Sequence, residues 1–249
     1  MSGGPAGQER SAARAGIVEA RSELRAGMVE SLPLGLALVP VGLAFGYLAH
    51  TAGLSWWLAG LMSAIVYAGP SQFIAMGLVG TGAAVPAIVA TTFVTNLRYS
   101  LFAASLAPHM RDSPRARLPF LGHAVADGSY AVTIDHALEH PERPRKDRFL
   151  LGSFVVSFVT WVGGTVLGAL AGGVVPATIA FGLGFATPAV FIAFLVPYIR
   201  DRASAVVMLT AGVGTVAGNE YLPAGVGPLL AIAGASVLGG ALLSRPTRR

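Results

Sequence analysis

The chain is 249 residues long, 54% hydrophobic and only 12% charged, with mean hydropathy +0.67. Soluble domains carry roughly 25% charged residues, so these numbers exclude a large water-soluble fold and point to a polytopic membrane protein. A net charge of +5 and a pI near 10.1 do not imply nucleic acid. The basic residues fall in short clusters between apolar segments (Arg10 to Arg25, Arg111 to Arg117, Arg143 to Arg148, Arg200 to Arg202, Arg245 to Arg249), the pattern that cytoplasmic loops produce.

Residues 1–30 mix Arg and Glu without an apolar core, which reads as an N-terminal cytoplasmic segment and not as a cleavable signal peptide. Between Glu30 and Arg98 there is no Asp, Glu, Lys or Arg, a length only lipid can solvate. Residues 31–50 form the first apolar segment, interrupted by Pro33 and Pro40. Residues 54–69 form the second, with Trp56 and Trp57 placed as an interfacial anchor. At Gly69-Pro70 the pattern breaks and resumes over residues 70–82 with Ser71 and Gln72. Proline frees backbone carbonyls, and at membrane depth freed groups need protein or a wet cavity around them. A half-helix starting near Ser71 would suit a carboxylate; a plain kink or interhelical turn is the alternative.

Residues 83–106 make the next span, which carries Asn96 and Arg98. Arg98 has three readings. It binds a substrate carboxylate, it pairs with Asp127, or it snorkels to the cytoplasmic interface. Residues 118–142 hold His123, Asp127, Asp135, His136 and Glu139, which suits one inward-facing span or a re-entrant pair. Asp127, one helical turn after His123, is the proton-coupling candidate, against a partly wet loop as the plain alternative. Asp135, His136, Glu139 and His140 run into a charged loop and read as a solvated face, not a metal site.

The 51 uncharged residues from Phe149 to Ile199 suffice for two crossings with a turn near Gly172-Gly173. Residues 203–219 and 223–244 supply a final pair, and residues 245–249 a basic tail. Tyr67 to Ala75 aligns with Phe185 to Ala193, 118 residues on, so Thr187 and Pro188 are broken-helix counterparts of Gly69 and Pro70 if the chain contains a repeat. Gly42, Gly46, Gly163, Gly164 and Gly168 have the spacing of close helix packing. The expected fold is all-α: a helical bundle of about seven to eight spans, with residues 31–244 as one membrane domain. Zero cysteines remove thiol chemistry, and no catalytic constellation, cofactor motif or metal set is present, so an enzyme is not expected.

Gly42-Leu-Ala-Phe-Gly46, Ala68-Gly-Pro-Ser-Gln-Phe73, Thr91-Thr-Phe-Val-Thr-Asn-Leu-Arg98 and Ser105-Leu-Ala-Pro-His109 together resemble the AzlC/YgaZ family. Trp161 with Gly163, and Pro188 to Pro197, continue the resemblance, which covers roughly residues 28–244. It implies the large subunit of a branched-chain amino acid exporter in a bacterial plasma membrane, working with a small AzlD-like membrane subunit. It also implies functional roles for Gln72, Asn96 and Arg98. Two positions depart from the family pattern: Gly128 follows Asp127, and Gly184 precedes Phe185, where acidic residues are expected. Export would draw on the proton-motive force. A non-transporting membrane scaffold or regulatory subunit is the competing expectation.

Overall fold

Proline stands near the start of several of the helices. Pro33, Pro70, Pro86 and Pro119 each stand in a first turn, where the missing N–H has no intrahelical role and the fixed φ suits the helix. The computed structural model describes residues 5–111, 113–173, 192, 196, 199, 201–222 and 226–243. Regular structure among these residues is helical: α1 (Pro5–Glu30), α2 (Leu32–Thr51), α3 (Trp56–Val66), α4 (Gly69–Gly80), α5 (Val85–Asn96), α6 (Arg98–Leu106), α7 (Leu118–Ala124), α8 (Asp127–Glu139), α9 (Lys146–Ala171), α10 (Arg202–Tyr221) and α11 (Val226–Leu243). The repeat positions Thr187 and Pro188, and Gly184, lie outside the described residues.

α9 is the hub, with α1, α2, α3, α7 and α8 packed against it. Its contact with α2 is made at backbone distance. A Cβ at Gly42 would lie 2.9 Å from the Trp161 carbonyl oxygen, and one at Gly164 3.0 Å from that of Val39. Gly46 and Gly168 press still closer, on the carbonyls of Thr165 and Leu43. Four of the five glycines with small-residue spacing therefore do what that spacing predicts, while Gly163 faces open space. Phe45, Phe73 and Trp161 fill the centre, with Phe45 stacked on Trp161 at 5.8 Å and edge-on to Phe73 at 5.3 Å.

Two helices, Leu32–Thr51 and Lys146–Ala171, are long and apolar enough to cross a membrane among the described residues. α3 and α4 have 11 and 12 residues, which is roughly 17 and 18 Å of helix against a hydrocarbon core of about 30 Å. Among the described residues, two helices thus have the length and hydropathy of full crossings, while α3 and α4 are half-length segments. Segment 118–142 resolves into a short helix, a break at Val125-Ala126, and a second helix.

Residues Pro5–Glu30 are one continuous helix that docks on α9. Gly27 presses on the Phe149 carbonyl and Gly152 on that of Leu24. This docking overturns the reading of His136 as part of a solvated face. His136 is 2% exposed; its Nε2 lies 3.2 Å from Glu23 Oε2, its Nδ1 3.3 Å from Glu30 Oε2, and its ring stacks on Phe149 at 3.7 Å. Local composition gave no sign that a helix from the N-terminus covers it. At the other end of the chain, Asp201 caps α10 by accepting from the Ser204 N–H at 2.7 Å and the Ser204 hydroxyl at 2.6 Å. Those two donors hold its carboxyl below the usual range.

Candidate functional site

Two broken helices meet near the middle of α9, and both breaks use the same chemistry. α3 ends at Tyr67, which has left-handed backbone angles (φ 43°, ψ 46°), and α4 begins after Ala68. The Ser71 hydroxyl donates to the Ala68 carbonyl at 3.0 Å, and the Ala68 N–H donates to Gln72 Oε1 at 3.1 Å. In the second break the Ala126 N–H donates to Ser129 Oγ at 3.0 Å, and the Ser129 hydroxyl donates to the Ala124 carbonyl at 2.6 Å. The backbone groups that each break frees are thereby satisfied by the chain's own side chains.

Ser71 and Gln72 are fully enclosed. Besides the Ala68 amide, Gln72 Oε1 accepts from Trp161 Nε1 at 3.2 Å, and Gln72 Nε2 donates to Ser63 Oγ at 3.0 Å. Ser63 in turn shares a hydrogen bond with Thr165 at 2.9 Å. In this conformation Gln72 pins the broken helix to α9. Gly69 and Pro70 stand half-buried at the start of α4.

The charged residues form a second group, at the junction of α6 and α8. Arg98 Nη2 donates to Asp127 Oδ2 at 2.8 Å, the Tyr99 hydroxyl donates to the same oxygen at 2.8 Å, and Arg98 Nη2 also donates to the Tyr99 oxygen at 3.0 Å. The guanidinium carbon sits 4.9 Å from the Tyr99 ring centre. Of the three readings for Arg98, this conformation shows the pairing with Asp127. Asp127 is the first residue of α8, where the helix N-terminus also favours a carboxylate. Both side chains keep about a third of their surface open, at 30% each. Phe102 stacked on Tyr130 at 4.1 Å, and the Ser105 hydroxyl donating to Tyr130 at 3.0 Å, align the two helices below the pair.

Two buried polar atoms at this junction have no hydrogen-bond partner among the described residues: Asn96 Oδ1, an acceptor, and Arg98 Nε, a donor. They lie on either side of Leu97, where α5 gives way to α6. Their opposite character matters, because an unpaired buried polar group is costly unless something fills it in another state. His123 packs among Tyr67, Phe154 and Phe158 at ring distances of 5.8, 5.9 and 6.4 Å, so it lines the wall between the two breaks.

Gly128 also has a structural reason. A Cβ there would lie 2.6 Å from Leu34 Cδ2, so any side chain at this position requires the tip of Leu34 to turn aside. The sequence assigned no site role to Tyr67, Tyr99, Ser63 or Trp161. Tyrosines and serines in apolar segments carry no local signal, and Tyr67 is marked only by its left-handed backbone, which sequence does not reveal. Groups of three or more His, Cys, Asp or Glu able to hold a metal are absent among the described residues.

A helical membrane protein with paired broken helices around a half-buried ion pair is the class that this architecture defines. The family described as AzlC protein matches residues 33–175, and the chain belongs to that family. It is 33% identical over 181 residues to an uncharacterized membrane protein of Archaeoglobus fulgidus, covering 72% of this chain and 77% of that one. It is 29% identical over 197 residues to the inner membrane protein YgaZ of Escherichia coli strain K12, covering 77% and 79%. It is 25% identical over 211 residues to the branched-chain amino acid transport protein AzlC of Bacillus subtilis, covering 82% and 80%. No solved structure matches at a significant level.

Proposed function

We propose that the protein is a multi-pass secondary transporter of a bacterial plasma membrane, exporting branched-chain or similar small apolar amino acids by exchange for protons. Residues 31–244 form the transport domain, with half-helices paired end to end to complete the crossings, and a small AzlD-like subunit completes the complex. No enzymatic step is involved. The name of one relative, the branched-chain amino acid transport protein AzlC of Bacillus subtilis, supports both transport and this substrate class.

The observation that carries the mechanism is the Arg98–Asp127 pair beside two unsatisfied polar atoms of opposite kind. A zwitterionic amino acid has one anionic and one cationic end. Its carboxylate takes Arg98, including the free Nε, and its ammonium takes Asp127 and the free Asn96 oxygen. The substrate thereby replaces the internal pair charge for charge, and the site stays neutral throughout. Protonating Asp127 removes the ammonium's counter-charge and favours release, so proton and substrate compete, as exchange requires. Tyr99 holds the Asp127 oxygen in either state. Gly69, Pro70, Ser71 and Gln72 frame the first break, and His123 is the candidate relay for a proton moving to Asp127.

Efflux of preloaded leucine, valine, isoleucine and methionine from cells lacking their own exporters tests this, with and without the small neighbour. Arg98→Ala and Asp127→Asn should each abolish net efflux while the complex still assembles. If both variants transport at the unaltered rate, the exchange site is elsewhere. If the intact protein assembles with its partner yet moves none of the four amino acids, the scaffold reading replaces transport.

A further inference from the structure

Two of the basic clusters, more than 100 residues apart in sequence, fold into one pocket. It is a cavity of about 460 Å³ between α1 and the start of α9. Ile17, Ala20 and Leu24 form an apolar wall on α1, while Arg21 from α1 and Arg145 and Arg148 from the start of α9 bring cationic groups to it.

Among the described residues the ion pairs do not balance these charges. Asp147, 2% exposed, is the acid at the base of the cluster. It takes Arg145 at 3.1 Å, Arg117 at 3.5 Å and Arg148 at 3.9 Å. One carboxylate therefore faces three guanidinium groups. Arg148 Nε and Arg117 Nη1 are buried with no hydrogen-bond partner among the described residues. Arg21 adds a fourth cation and forms no ion pair among the described residues. On α1, Glu23 is committed to His136 at 3.2 Å and Arg143 at 3.3 Å. A buried donor with no acceptor, in a pocket with net positive charge, calls for an anion that brings its own oxygens.

We propose that this pocket binds the phosphate headgroup of an anionic glycerophospholipid. Its phosphate oxygens take Arg21 and Arg148, and an acyl chain lies along Ile17 and Leu24. The apolar wall decides for a lipid over free phosphate. Ile17 and Val18 are 55% and 68% exposed on the same helix, and an inorganic ion gains nothing from such a surface. Basic pockets between helices at the cytoplasmic side of a membrane protein suit such headgroups. The bound lipid bridges α1 to α9.

The test is native mass spectrometry of the full chain in neutral detergent. It is offered phosphatidylglycerol or phosphatidylcholine with identical chains, and then phosphatidylglycerol with excess inorganic phosphate. Retention of phosphatidylglycerol over phosphatidylcholine is expected, falling on the order of tenfold or more in Arg21→Gln/Arg148→Gln. The conservative variant Arg148→Lys should restore part of it. Arg202→Gln, an exposed arginine on α10, should leave it unchanged. If the double variant does not fold, Arg21→Gln alone, which breaks no pair, carries the comparison. Equal retention of the two lipids, or equal loss in Arg202→Gln and the pocket variants, overturns the assignment. Displacement by millimolar inorganic phosphate converts it to a free-anion site and overturns the lipid.

Discussion

Arg98 and Asp127 hold one another at 2.8 Å with about a third of each side chain still open. A pair in such a place contributes little net stability, because partial hydration offsets the attraction, but removing one partner leaves the other desolvated without compensation. The Arg98→Ala/Asp127→Ala double variant should therefore be less destabilised than the two single variants summed. The expected coupling is about 1 kcal/mol, from thermal unfolding in detergent. Additivity would show that the two groups do not sense each other. A second prediction concerns Gly128. Gly128→Glu, which restores the acid expected of the family, should lower stability slightly, because the tip of Leu34 has to turn aside. Adding Leu34→Ala should recover part of that loss in the same measurement. The sequence made Arg98 visible because a charge among apolar neighbours is conspicuous. It could not choose among the three partners, since that depends on where α8 lies.

At the level of helices, the two breaks differ in how readable they are. Gly69-Pro70 announces itself, because proline cannot continue a helix without cost. Val125-Ala126 contains neither proline nor glycine, and its break is held by Ser129 reaching back to the Ala126 amide. Nothing around Ser129 in the sequence signals that contact. The glycines of α2 and α9 are also unequal. Gly168→Ala should be severely disruptive, because its Cβ would press on the Leu43 backbone, which cannot rotate away. Gly163→Ala meets nothing within 4 Å and should be neutral or stabilise by up to about 1 kcal/mol through helix propensity. Comparing the two melting temperatures checks the pairing of these helices residue by residue.

For the whole molecule, the N-terminal helix is the part furthest from its sequence reading. Charged composition marked residues 1–30 as a cytoplasmic segment, and nothing local showed that α1 would cover His136 and meet α9 at Gly27 and Gly152. Contacts more than 100 residues apart leave no trace in periodicity. His136→Ala removes the group that both Glu23 and Glu30 face, so α1 should detach. Limited proteolysis should then cut within residues 16–30 several-fold faster than in the unaltered protein. An unchanged rate would mean that the glycine contacts alone hold the helix.

That docking has a consequence for the order of assembly. α1 leaves the ribosome before its seat on α9, which begins at Lys146, and at about 5–20 residues per second that seat is on the order of ten seconds away. During this interval Glu23 and Glu30 have no histidine to face. The helix is thus a latch made long before its seat, closing on α9 only once the chain between them has been synthesised.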